Sequence, residues 1–223
     1  MATLPMDADR LGVGPPVLRT TTVRSGLLGL PAVGALDLVV KMVLVAFLVR
    51  LVVDPAWGNL EGKAPVGRAV IYPCLGLVVP SIHLLLGRGT AFPWKADLLV
   101  TIAGFSDILG NRLDLYDRIA WFDDAIHFTN TGLIVAAVLL LGGAGDAPFL
   151  QTLDRAVAVG LSVSLGWELW EYYAFVARSA ESATAYPDTI GDLALGWAGA
   201  VVAAIVVAGS HHRVGRPDRA RGR

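Results

Sequence analysis

The sequence is short of cysteine and of net charge, and both shortages limit what the protein can be. One cysteine, Cys74, occurs in 223 residues, so an intramolecular disulfide is excluded. Charged residues make up 17% of the chain and the formal net charge is -1, so no nucleic-acid partner is expected. Hydrophobic residues make up 55%, too large a share for an ordinary soluble domain, and the mean hydropathy is positive. The composition therefore indicates a polytopic membrane protein.

Several motifs that would indicate a known chemistry are also missing. The chain has no nucleophile motif, no glycine loop for phosphate and no zinc signature. It has no evident inverted repeat and no pair of broken helices of the kind found in secondary transporters. A cleaved signal peptide is not expected, because the early apolar stretch 27–30 is short and stops at Pro31. The first hydrophobic helix then serves as an uncleaved anchor.

The rest of the chain is dominated by apolar segments. Residues 1–34 predict a disordered cytoplasmic arm, and residues 210–223 predict a basic cytoplasmic tail. Residues 35–209 predict a single all-α bundle of about six transmembrane helices, because most segments approach the roughly 20 residues that cross a bilayer. The third segment is short and contains Asp107, which leaves a re-entrant half-helix as an alternative. The segments are 36–53, 66–86, 96–110, 125–141, 156–177 and 190–208.

The distribution of basic residues predicts the orientation. Five arginines fall in the last eleven residues. With six spans, eleven Lys or Arg residues lie in the termini and the loops of one side, and five lie on the other side, Arg68 among them. The positive-inside rule therefore predicts that both termini are cytoplasmic. A five-span topology would carry the tail arginines across the membrane.

Two glutamates, Glu168 and Glu171, interrupt the fifth apolar segment. Their spacing of three residues places both on one face of a helix. Insertion measurements assign about 2.5 to 3.5 kcal/mol to a charged residue at the centre of a spanning helix. An ionisable pair inside an apolar segment therefore indicates a functional site.

The polar residues of the last four segments share one level of the predicted bundle. The six-span topology places all of them in the outer half of the membrane. Acids on four separate helices would each be unfavourable to bury alone, and a shared site removes that conflict. The set comprises Asp107, Asn111, Asp123, Asp124, His127, Asn130, Glu168, Glu171, Asp188 and Asp192.

Two chemistries fit such a set. Carboxylates with one histidine form an oxygen-rich ligand set for a divalent metal ion. The candidate ligands are Asp123, His127, Glu168, Glu171, Asp188 and Asp192. The alternative is a proton relay, in which the two glutamates and the histidine are the acid and base groups. Ordinary explanations also exist, because Asp123, Asp124 and Asp188 suit helix N-termini and an isolated histidine is common at a membrane interface.

The order of these motifs resembles that of the YjdF-type bacterial inner-membrane proteins and, more distantly, the VanZ-like family. The matching residues are Asp123 to His127, Glu168 to Glu171 within Trp-Glu-Leu-Trp-Glu-Tyr, and Asp188 to Leu193, within a stretch of roughly 96–208. VanZ-like proteins have Glu-x-x-Gln where this chain has a second acid, so their reduced sensitivity to teicoplanin-type antibiotics is not carried over. The resemblance implies a six-helix protein of the bacterial cell envelope, and it implies no reaction.

Two functions are consistent with these observations. The first is an enzyme, with a divalent cation, that acts on a lipid or a lipid-linked headgroup. In it His127, Glu168, Glu171 and Asp192 would be ligands or acid and base groups, and Asp123 would orient His127. The second is a proton- or ion-coupled transporter or lipid flippase that uses the same carboxylates. A scaffold held by a buried polar network is a third alternative. Membrane lipids are the expected partners in each case, and the sequence leaves the oligomeric state open.

Overall fold

The computed structural model describes residues 30–87, 90–144 and 147–214, with side chains through residue 210. Most of the predicted cytoplasmic arm and most of the predicted basic tail lie outside these residues. Within the described ranges the chain is helical and contains no strand, which confirms the all-α class. The α-helices are α1 (Ala32–Val53), α2 (Pro65–Leu86), α3 (Trp94–Arg112), α4 (Leu115–Arg118), α5 (Phe122–Leu141), α6 (Phe149–Ala174) and α7 (Ala185–Val214).

Proline marks the start of four of the six long helices. Helices α1, α3 and α6 begin directly after Pro31, Pro93 and Pro148, and α2 begins at Pro65. The fixed φ of proline suits the first turn of a helix, where its missing N–H group has no intrahelical partner in any case. These prolines therefore mark where four of the apolar segments begin as separate helices.

Each of the six predicted apolar segments corresponds to one long helix. By length and composition, three helices of the described chain are apolar enough to cross a membrane: Pro65–Leu86, Phe122–Leu141 and Ala185–Ser210. The third segment forms α3, an unbroken helix of 19 residues. Asp107 does not interrupt α3, because its carboxylate is bonded to side chains of neighbouring elements.

Helix α3 joins the two halves of the bundle. It packs against α1 and α2 on one side and against α5 on the other, while α5 also packs against α6 and α7. More than half of the residues of α3 are buried. Polar side chains on α3 are therefore held inside the protein, which requires partners for them on neighbouring helices.

The contact between α5 and α7 is a close approach of two backbones. A Cβ atom on Gly199 would overlap the carbonyl oxygen of Phe128, and a Cβ atom on Gly132 would lie 3.1 Å from the carbonyl oxygen of Gly199. Small residues of this kind permit close helix packing inside a membrane. The glycines thereby set the spacing of the two helices that carry His127 and Asp192.

Candidate functional site

Asp107 of α3 is the centre of a buried hydrogen-bond network. Arg68 Nη1 donates to Asp107 Oδ2 at 2.5 Å, and the Tyr72 hydroxyl donates to the same oxygen. The Tyr116 hydroxyl donates to Oδ1 at 2.8 Å, and the amide of Asn111 donates to the Asp107 backbone carbonyl at 3.0 Å. Burial and the Asp107 carboxylate raise the pKa of Tyr116 in the α4 loop well above its ordinary value, so this phenol stays protonated and donates.

Arg68 is the site residue that the sequence prediction missed. It is counted above among loop residues, but it lies in the first turn of α2 and is only 3% exposed. Its guanidinium stacks 5.5 Å from the ring of Trp167 and 5.4 Å from that of Trp170, and its Nη2 lies 3.5 Å from Glu171 Oε1. One signal was present in the sequence, because Arg68 falls inside the apolar segment 66–86 and needs an acid there.

His127 forms a second cluster with carboxylates from three helices. Its Nε2 atom lies 3.4 Å from Asp123 Oδ1 and 3.8 Å from Asp192 Oδ2, and its Nδ1 atom lies 3.5 Å from Glu168 Oε1. None of these distances is that of a good hydrogen bond. His127, Glu168 and Asp192 are buried, and Asp123 is partly exposed. The structure therefore brings together four of the predicted ligands.

Only one of the two carboxylate oxygens of Glu168 has a hydrogen-bond partner. Its Oε2 accepts a hydrogen bond from the Thr189 hydroxyl at 2.9 Å, while its Oε1 is buried and has no hydrogen-bond partner. The unpaired oxygen faces Nδ1 of His127. Buried carboxylate oxygens without a partner are unfavourable, so this atom indicates that the ring nitrogen donates to it or that an ion lies nearby.

Two cavities meet at these clusters. The deeper one, of about 80 Å³, lies between α2, α3, α5 and α6, and much of its wall is apolar, with Leu75, Ala103, Ile134 and Val163 among its lining residues. The second, of about 300 Å³, is polar and reaches exposed residues in and after the loop between α6 and α7. Tyr116, Asp123 and Glu171 line both cavities and so form a neck between them.

Comparison with known proteins identifies the family. A family model described as "Predicted membrane protein (DUF2238)" matches residues 36–213, which include nearly all of the six long helices and both clusters. The chain belongs to the DUF2238 family. The family is consistent with the resemblance to YjdF-type proteins, whereas the link to VanZ-like proteins is not shown. No curated protein and no solved structure matches the chain.

The other predicted residues of this DUF2238 protein lie at different distances from the neck. Asn130 accepts a hydrogen bond from Ser106 at 2.8 Å and lines the deeper cavity. Asn111 lines the polar cavity. Asp188 is exposed and lines the polar cavity, and it is not among the residues whose potential ligand atoms lie within 4.8 Å of one another around His127. Asp124 is exposed and is not among the lining residues of either cavity; it lies in the first turn of α5, where the helix dipole favours a carboxylate.

Hydrogen bonds and an ion pair join the loop before α2 to Asp114 and α4 beside the polar cavity. Asn59 donates to Asp114 Oδ1 at 2.8 Å and to Asp117 Oδ2 at 3.1 Å, and Lys63 Nζ lies 3.1 Å from Asp117 Oδ2. Hydrogen bonding to Lys63, and to Asn59, lowers the pKa of Asp117 below its ordinary value of 3.8. The loop before α2 is thereby joined to α4.

We expect Lys63→Met to weaken this tie by at most about 1 kcal/mol, because Asp117 is largely exposed and the ion pair is screened by water. A carboxylate with a lowered pKa in the folded state stabilises the protein above its unfolded pKa, and that contribution is lost as the pH falls through the folded pKa. The melting temperatures of the wild type and the variant should therefore differ at neutral pH and converge below pH 3.8. A difference that persists unchanged in acid would contradict the ion pair.

Proposed function

We propose that this protein spans the bacterial inner membrane six times, with both termini cytoplasmic and the site end in the outer half of the bilayer. The six long helices contain 19 to 30 residues, close to the length that crosses the hydrocarbon core. The buried charges of α3 and α6 contact partners on other helices: Asp107 is paired with Arg68, and Glu171 also lies beside Arg68. A paired charge inside a bundle is compatible with a spanning helix. A cysteine at position 114 should then react with an impermeant reagent in intact cells, whereas labelling only after permeabilisation would reverse the orientation.

The site holds one divalent metal ion between Asp123, His127 and Asp192. Two atoms that each bind a zinc ion at about 2.0 to 2.1 Å with tetrahedral angles are about 3.4 Å apart. The separations of 3.4 and 3.8 Å from His127 Nε2 to Asp123 and Asp192 are close to that value and too long for good hydrogen bonds. One nitrogen and two carboxylates suit manganese, iron or zinc better than calcium. Three protein ligands leave a coordination position for water or substrate.

The role of Glu168 depends on which ring nitrogen of His127 binds the metal. If Nε2 binds the metal, Nδ1 carries the proton and points to Glu168 Oε1 at 3.5 Å. A carboxylate on the second nitrogen of a ligating histidine fixes the ring and increases its basicity. This assignment exchanges two roles that the sequence suggested, because Asp123 becomes a ligand and Glu168 becomes the group that orients His127. A second arrangement, with His127, Glu168 and Glu171 as ligands, also brings its atoms within 4.8 Å of one another.

The substrate is an amphiphile, a lipid or a lipid-linked compound of the cell envelope. The apolar wall of the deeper cavity suits the first carbons of a hydrocarbon chain, and the polar wall of the larger cavity, of about 300 Å³, suits a headgroup. The observation that carries the proposal is the neck, where both cavities meet beside the proposed metal ligands. Asp123 is itself a member of the neck and of the ligand set. The junction of headgroup and chain would therefore lie next to the metal.

The proposed activity is metal-assisted chemistry on the headgroup. A bound divalent ion polarises an oxygen of the substrate or activates water. Glu171 lines both cavities, so its carboxylate can accept or return a proton at the junction. Arg68 lies 3.5 Å from Glu171 and limits its movement.

Elemental analysis of the purified protein tests the metal site. We expect about one ion of manganese, iron or zinc per chain after purification from metal-supplemented cells. His127→Ala and Asp192→Asn should lose the bound metal ion. Glu168→Gln should bind the same metal 10- to 100-fold more weakly, which is the usual loss of affinity when a residue that orients a metal ligand is replaced. Asp124→Asn is the matched control, because it removes an exposed carboxylate of α5 outside both cavities. A wild type without metal under these conditions would overturn the metal site.

Incubation in nanodiscs made from a total bacterial lipid extract tests the substrate class. Mass spectrometry should show altered headgroups with the metal-loaded wild type and none with Asp192→Asn or Glu171→Gln. Unaltered lipids with a fully loaded protein would contradict the enzymatic proposal.

Ion-coupled transport is the alternative that one observation favours. Helix α3 carries a buried carboxylate near each end, Asp97 and Asp107, so charged groups lie on both sides of the bundle. A transporter needs such groups on its pathway. Uptake into proteoliposomes that depends on a proton gradient and is lost in Glu171→Gln, without any change in the lipids, would support it.

A further inference from the structure

A second buried charge network lies at the opposite end of α3. Lys41 Nζ of α1 is 3.0 Å from Asp37 Oδ2 and 2.5 Å from Asp97 Oδ2. The hydroxyl of Thr101 donates to Asp37 Oδ1 at 2.7 Å. These four residues, which we name the Asp97 network, join α1 to α3.

The Asp97 network is separate from the site described above. Asp107 follows Asp97 by ten residues along α3, which is about 15 Å at 1.5 Å per residue. None of the four residues of the network lines either of the two cavities at the neck.

The charges of this network do not balance. Two carboxylates share one ammonium group, so the fully ionised network has a net charge of -1. The side chains of Asp37 and Asp97 are 0% and 2% exposed. An unbalanced buried charge is strongly unfavourable. No second cation compensates among the described residues nearby, because Lys95 of α3 is exposed without an acidic partner, and His83 of α2 packs against the ring of Phe92.

One oxygen of the network has no partner. Both oxygens of Asp37 accept hydrogen bonds, Oδ1 from Thr101 and Oδ2 from Lys41. Asp97 Oδ2 faces Lys41, but Asp97 Oδ1 is buried and without a hydrogen-bond partner. Asp37 therefore has partners on both oxygens, whereas Asp97 has a partner on Oδ2 only.

We propose that the Asp97 network is a proton-binding site, with Asp37 ionised, Lys41 charged and one exchangeable proton on Asp97. This charge state makes the network neutral and keeps the ammonium between two acceptors. The proton lies on the carboxylate with the unpaired oxygen. The side chain of Lys41 is 22% exposed, so the network is not sealed inside the bundle.

A metal ion fits this place less well than a proton does. Magnesium and calcium take at least six oxygen ligands, and the network offers a single unpaired oxygen. The position between the two carboxylates is already filled by the ammonium of Lys41. A proton needs one acceptor atom only.

Infrared difference spectroscopy in nanodiscs at neutral pH tests this proposal. We expect the wild type to show the carbonyl stretch of a protonated carboxylic acid that Asp97→Asn lacks. Asp37→Asn should lack it too, because Asp97 then ionises to pair with Lys41. Thr101→Val keeps the charges and should keep the band, and Lys41→Met should gain a second one. Asp124→Asn is the control for removing a carboxylate elsewhere.

The outcomes separate the alternatives. A spectrum of Asp97→Asn identical to that of the wild type would mean that Asp97 is ionised, and the proposal would be wrong. The band could be absent while sodium or potassium raises the melting temperature of the wild type but not that of Asp97→Asn. An alkali cation would then supply the positive charge that the network lacks, and the proposal of a proton would be wrong. If Asp37→Asn does not fold, the spectrum of Asp97→Asn alone decides whether Asp97 carries the proton, because an asparagine amide has nearly the shape of the protonated acid. Metal content is measured in parallel, so failure here is distinguishable from failure of the metal site.

Discussion

Replacing Arg68 with methionine is expected to lower the free energy of unfolding by about 3 to 5 kcal/mol, the usual loss when one partner of a buried ion pair is removed. The substitution leaves the Asp107 carboxylate 4% exposed and without a countercharge. Tyr72 and Tyr116 would still donate to it, but hydroxyl groups do not balance a full charge. Unfolding by sodium dodecyl sulfate, followed by circular dichroism, measures the change.

A second substitution separates charge from packing. The double variant Arg68→Met with Asp107→Asn removes both charges and should recover most of the lost stability. Arg68→Lys keeps a charge but cannot reproduce the contacts of the guanidinium with Tyr72, Trp167 and Trp170, so an intermediate loss is expected. Unchanged stability in Arg68→Met would contradict a buried ion pair.

Gly199→Ala is expected to have the other large effect. The new methyl group would overlap the carbonyl oxygen of Phe128, and a backbone atom cannot move aside as a flexible side chain can. Overpacking of this kind costs about 1 to 3 kcal/mol. Because α7 must move away from α5, His127 and Asp192 should also separate, so the metal affinity should fall although neither ligand is changed.

Gly209→Ala is the matched control on the same helix. A Cβ atom there meets nothing within 4 Å, so the stability and the metal content should stay at wild-type values or rise slightly. Equal effects of the two substitutions would show that helix propensity, and not the contact with Phe128, governs the result.

Much of the fold could be predicted from hydrophobicity alone. Six apolar segments become six long helices, and the acids of α3, α5, α6 and α7 meet at one end, as their positions along the chain suggested. Position along a helix fixes depth, because each residue advances 1.5 Å. The end of the bundle at which each acidic residue lies could therefore be predicted from the sequence.

The pairing of side chains could not be predicted in the same way. Which residue meets which depends on how each helix is rotated about its own axis and on which helices are neighbours. Arg68 and Asp107 are partners because α2 lies beside α3, which no spacing in the sequence reveals. The roles of Asp123 and Glu168 depend on which nitrogen of His127 each one faces.

The network at the other end of α3 was overlooked for a different reason. Asp37 and Asp97 lie in the first two turns of α1 and α3, where charged residues are ordinarily solvated at a membrane interface, and Lys41 follows Asp37 by one turn. Only the contact of α1 with α3 shows that two of them are buried.

The glycine contact between α5 and α7 also bears on the entropy of metal binding. Phe128, whose carbonyl oxygen faces Gly199, is the residue next to His127, and Gly199 is seven residues, about two helical turns, from Asp192. Two backbones in direct contact leave little freedom to slide or rotate, so the residues of the proposed metal site, His127 and Asp192, are held at a nearly fixed separation before any ion binds. Such preorganisation reduces the ordering that binding must pay for, and it favours the ions whose radius matches the preset spacing.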